Sequence, residues 1–110
     1  MMTQADAAAR VAKGAALLDE VRPGWAERIN LAQFHMWSNC GCVLGQLHGS
    51  FWRGLKEFDD GYSAMSFARA YGFHEPYNAA PEMTDDDPYG KAIYAPLQAA
   101  WVREILLRRV

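Results

Sequence analysis

Apolar residues recur at helical spacing along most of the chain, and no stretch alternates apolar and polar convincingly over a strand's length. From Gln4 to Val21, Val11, Ala15 and Leu18 share one stripe, flanked by Gly14, Leu17 and Val21. Ala7 to Ala9 favour a helix there, and Asp6 and Arg10 stand i,i+4 in the supporting order. Pro23 restricts Arg22 and Gly24 accepts a positive φ, so the helix is predicted to stop and Trp25 to pack back on its end. Residues 25–37 predict irregular chain with one helical turn. Ser38 or Asn39 is the expected cap of a short amphipathic helix, Cys40 to His48, carrying Cys42, Val43, Leu44 and Leu47. Gly49 and Ser50 break it.

Phe51, Leu55 and Phe58 form a further stripe, closed by Asp59, Asp60 and Gly61. Ser63 is the expected cap of a helix that runs through Ala70 and ends at Gly72. Residues 73–90 hold Pro76, Pro81, Pro88 and the run Asp85 to Asp87, and predict a long loop. The last helix is expected from about Lys91 to Arg109. Leu97, Trp101 and Ile105 are its main stripe, widened by Val102 and Leu106, and Pro96 either starts its regular part or kinks it. The expected architecture is a single all-α domain over residues 1–110, a bundle of four or five helices. Residues 1–4 are expected to fray. The long N- and C-terminal helices pack together, with the short central ones across them.

Composition narrows the function. The chain has 110 residues, 51% hydrophobic and 22% charged, which is a folding composition. Eleven Lys and Arg against thirteen Asp and Glu give a formal charge of −2. Arg103, Arg108 and Arg109 are the one dense basic group, and cations there also complement a helix C-terminus. This argues against a nucleic-acid partner. No apolar run approaches the roughly 18 residues that span a bilayer, and the N-terminus lacks a secretory core, so no membrane association is expected. Cys40 and Cys42 are too close for an unstrained disulfide, which suits a reduced, cytoplasmic protein.

The sharpest chemical candidate is His35, Cys40, Cys42 and His48, spaced H-x4-C-x-C-x5-H. Two thiols and two imidazoles suffice for zinc, but the spacing matches no usual finger. Small packed cysteines near a helix start are the weightier reading, so neither metal nor cofactor is expected. Thiol chemistry needs a lowered pKa in the first helical turn and a histidine brought over by the fold, for which His74 is the distant candidate. Gly41, Gly45 and Gly49 recur every four residues, yet lack the Lys-Ser/Thr ending of a phosphate loop. An interior glycine costs roughly 1 kcal/mol in a helix, and the close approach of another helix is its expected reason. The alternative is a ligand against that backbone, with Gln46 orienting a polar group and Trp37 or Trp52 stacking on it. The aspartate runs read as solvated charge.

Aromatic residues are abundant. Trp25 and Trp101 are assigned to the core. Trp37, Trp52, Tyr77 and Tyr89 are interface candidates, and with Cys40, Cys42 and Gln46 they make up the candidate ligand- or partner-binding set.

Two strings carry a resemblance. Ala15 to Trp25 reads A-A-L-L-D-E-V-R-P-G-W, with Ile29 following, and Cys40 to Gly49 reads C-G-C-V-L-G-Q-L-H-G. Gly54-Leu55, the Tyr71 to Phe73 triplet, Trp101 and the terminal Arg108 and Arg109 extend it. The chain resembles, over about residues 15–109, a family of small uncharacterised proteins of actinobacterial phages and related genomes. The resemblance implies a phage or prophage origin, a location in the bacterial host's cytoplasm, and no assigned activity. The family pattern has an aromatic where His48 stands and no counterpart of His35. The expectation is a small non-enzymatic protein that binds and modulates a host protein. The alternatives are a small-ligand or nucleotide binder using Cys40 to Gly49, and a zinc-binding or thiol-active protein. A homodimer is also compatible.

Overall fold

The computed structural model describes residues 2–58, 64–75 and 88–110. Five helices make up most of it: α1 (Gln4–Val21), α2 (Val43–His48), α3 (Phe51–Phe58), α4 (Ala64–Ala70) and α5 (Pro88–Arg108). Two 3₁₀ turns, Trp25–Arg28 and Leu31–Gln33, interrupt the chain between α1 and α2, and no strand occurs among the described residues. The architecture is the all-α bundle that the hydrophobic pattern predicts. The expected closure at Asp59 to Gly61, the Ser63 cap, Tyr77, Pro76, Pro81 and Asp85 to Asp87 lie outside the described residues.

The two long helices form the most extensive helix contact. α1 buries Ala7, Val11, Ala15 and Leu18, and α5 buries Ile93, Leu97, Trp101 and Ile105. Gly14 lets them meet. A Cβ there would stand 2.1 Å from the Tyr71 carbonyl oxygen and 3.1 Å from the Trp101 ring. Trp101 stacks on Phe73 at 5.4 Å, meets Trp25 edge-on at 5.6 Å and donates its ring N–H to the Gly72 carbonyl at 2.7 Å. Its apolar body and its one polar group are therefore both satisfied.

Met2 to Gln4 are seated, not frayed. Thr3 accepts the Asp6 N–H as the N-cap, Met2 is only 4% exposed, and Gln4 donates to the Pro96 carbonyl of α5. α5 starts at Pro88, earlier than expected. Proline at the first helical position gives up an N–H that has no helical partner anyway. Pro96 does not start the helix, which runs through it. The Ala92 carbonyl loses its usual donor there, on a side where that residue is exposed.

The short helices differ from expectation in their caps. α2 begins at Val43, because Cys42 is its N-cap: the Cys42 Sγ accepts the Gly45 N–H at 3.2 Å. Asn39 instead accepts the Phe51 N–H with both its carbonyl and its side-chain oxygen, tying the loop before α2 to the start of α3. α4 ends in a Schellman turn. Gly72 has φ 76, Phe73 N–H returns to the Ala68 carbonyl, and a Cβ on Gly72 would collide with the Val11 backbone.

Candidate functional site

The sequence concentrates its candidates between Trp25 and Trp52, and the structure separates those that hold the fold from those that face solvent. Gln46 holds the fold. Its Oε1 accepts the Asn30 N–H at 2.6 Å, and its Nε2 donates to the Asn30 and Gly41 carbonyls at 3.2 and 3.0 Å. These bonds commit the amide to the backbone, although Gln46 also borders a surface cleft. Gln98 of α5 repeats the device, accepting the Met36 N–H at 2.9 Å and donating to the Phe34 carbonyl at 2.7 Å. Arg109 donates to the Ala26 and Ile29 carbonyls. These three side chains pair backbone groups that have no helical ladder.

The Ala15–Trp25 string has the same explanation. Gly24 takes φ 84, which returns Trp25 to the end of α1, where its ring N–H donates to Asp19 at 2.9 Å. Arg108 donates to both carboxylate oxygens of Asp19, at 2.8 and 2.7 Å. The Arg108 hydrogen bond holds the Asp19 carboxyl below its ordinary value, against a weaker opposing effect of burial.

The glycine series does not admit the backbone of a neighbouring α-helix. A Cβ on Gly45 would lie 2.4 Å from the Asn39 carbonyl oxygen and 2.7 Å from the Cys40 backbone, so this glycine admits the chain's own preceding loop. Gly41 faces the Gln33 carbonyl and Ser38, while Gly49 ends α2 at φ 95. The close helix approach occurs at Gly54 of α3, where a Cβ would stand 2.7 Å from the Leu44 Cβ of α2.

The four zinc candidates are not brought together. Among the described residues, no group of three or more His, Cys, Asp or Glu side chains could hold a metal ion. Cys42 is buried, and burial pushes its thiol up to about 12, the reverse of an activated nucleophile. Arg22 donates to the Nδ1 of His48 at 3.1 Å; burial first, and the Arg22 charge second, hold that imidazole below its ordinary value. His35 tilts against Trp37 with ring centroids 4.9 Å apart. Cys40 is exposed and free.

Two surface features among the described residues bear on function. One is a cleft of about 460 Å³ lined by Ala32, Gln33, His35, Ser38, Cys40, Gly41 and Gln46. Of the expected stackers, Trp37 is buried in the core and does not line the cleft, and Trp52 is exposed on α3. Tyr89 is exposed at the start of α5. The other feature is the outer side of α5. Ala99, Val102, Arg103, Leu106, Leu107 and Val110 line a shallow groove of about 450 Å³ there, with Leu106 50% and Leu107 58% exposed. Leu106 was expected to widen the core stripe, but it points away from Leu97, Trp101 and Ile105. The sequence does hold the signal: Ala92, Ala95, Ala99, Val102 and Leu106 recur at three- and four-residue steps as a second stripe.

Comparisons with family models, curated proteins and solved structures find no significant match to this chain. No helix among the described residues is long and apolar enough to cross a membrane.

Proposed function

We propose that the chain is a non-enzymatic protein-interaction module that modulates a host protein, and that the outer side of α5 is its contact surface. The observation carrying this reading is that α5 is apolar on two sides. One stripe is buried against α1; the other leaves Leu106 and Leu107 in solvent. A helix that is apolar around most of its circumference suits burial on both sides. The three- and four-residue steps of the outer stripe match the packing of a second amphipathic helix, so the occupant is a helical segment of the partner. The resemblance to phage proteins supports a host partner.

A photo-crosslinking side chain at position 106, in cells expressing the protein, tests this. One helical segment of another protein is expected to attach there, and not to a crosslinker at exposed Ala9 on α1. Leu106→Glu is expected to abolish it. Attachment to copies of this chain alone would replace the host partner with a homodimer.

A second reading, a small-ligand binder, is favoured by the cleft over His35, Ser38 and Cys40. A ligand panel that raises the melting temperature, with the rise lost in Cys40→Leu, would support it.

A further inference from the structure

His74 is the most enclosed ionisable side chain outside the surfaces considered above. It is 1% exposed, between Phe51 of α3 at 5.8 Å and Tyr94 of α5 at 6.1 Å. Its Nδ1 lies 2.6 Å from the Glu75 carbonyl oxygen. A carbonyl only accepts, so Nδ1 carries the proton and donates it. Nε2 is then the bare nitrogen of the neutral ring, and it is buried with no partner.

That arrangement suits neutral imidazole and penalises imidazolium. A second proton has to go on Nε2, where it finds no acceptor and places a positive charge among aromatic rings. The charged and titratable groups around it, among the described residues, are Arg69 of α4, Glu75 beside it and Tyr94 of α5; α3 contributes Phe51. Arg69 opposes the added charge and Glu75 favours it. The Nε of Arg69 is itself buried without a hydrogen-bond partner. Burial dominates, and holds the imidazole below its ordinary value.

The backbone of His74 is part of the same turn. The Phe73 and His74 N–H groups both return to the Ala68 carbonyl, at 2.8 and 3.2 Å, and close the end of α4. We propose that His74 is an acid-released latch: on protonation it leaves its seat between α3 and α5, and the α4 end turn opens with it while α1 stays folded. The sign follows from linkage. The unfolded chain binds the proton at ordinary imidazole pH and the seated ring only at lower pH. The latch is therefore fully closed above about pH 6.5 and weakens as pH falls below it.

The test uses the wild-type chain with labelled histidines, followed by NMR from pH 7.5 to 5. His48→Gln and His35→Gln assign the three rings. The expected result is an Nδ1–H tautomer for His74 at neutral pH. On acidification, after correction for the intrinsic pH dependence of exchange, the Phe73 and His74 amides should lose protection at least tenfold while those of Val11 to Leu18 keep theirs. His74→Asn, which retains a side-chain donor but does not titrate, should flatten the response; if that variant does not fold, the wild-type titration decides. An Nε2–H tautomer, protonation with unchanged protection, or an equal loss of protection in α1 would each overturn the proposal.

Discussion

The α1–α5 pair and the stretch from Arg22 to Cys42 are held together by different forces. In the helix pair, backbone groups satisfy one another and apolar stripes supply the adhesion. Between Arg22 and Cys42 the regular structure is two 3₁₀ turns, joined by a few backbone-bonded turns, and side chains from α2, α5 and the C-terminus reach in to pair further backbone groups. Alongside the segment's own backbone turns, Gln46, Gln98 and Arg109 thus do for part of it what a ladder does for a helix. The contrast teaches where sequence identity matters. A stripe tolerates exchange among apolar residues, whereas a clamping glutamine or a close-approach glycine does not.

The largest expected break in the helix pair is Trp101→Ala. It removes the contacts to Phe73 and Trp25 and the bond to Gly72, and should cost about 3–5 kcal/mol in denaturant unfolding. Gly45→Ala strikes the other region. Its Cβ has no room against Asn39 and Cys40, and about 1–3 kcal/mol should be lost. Gln46→Ala should cost about 1–2 kcal/mol, read as faster amide exchange at Asn30 with α1 unaffected. Leu106→Ser is the smallest, within about 0.5 kcal/mol, because that side chain is half in solvent.

Alkaline pH acts on both regions alike. Burial pushes both the Cys42 thiol and the Tyr94 hydroxyl up to about 12. Each folded-state value lies above its unfolded one, so the stabilisation is complete below about pH 8.5 and is lost as pH rises toward 12. A melting temperature that stays flat from pH 8 to 11 would contradict these burial assignments.

Much of the fold is legible in the sequence, because burial imprints period. Val11, Ala15 and Leu18 on α1, and Leu97, Trp101 and Ile105 on α5, stand where their spacing puts them. The candidate site is far less legible. Gln46 and Cys42 look like chemistry because polar groups beside glycines look like ligand sites. What decides their role is a backbone sixteen residues from Gln46 and three from Cys42, and spacing alone does not display such a partner. Leu106 misleads for a different reason: it follows Ile105 in an unbroken apolar run, and only its three- and four-residue spacing from Val102 and Ala99 assigns it to the outer stripe. Pro88 reads as loop punctuation, yet stands where a helix accepts proline most readily.

Cys40 is exposed while Cys42, two positions on, is buried as the cap of α2. The native protein therefore offers one thiol to alkylating reagents and the denatured protein two. A dye can be conjugated at Cys40 without disturbing the core. The slower modification of Cys42 then times the opening of the α2 cap, so the native chain carries both a labelling handle and a clock without an engineered residue.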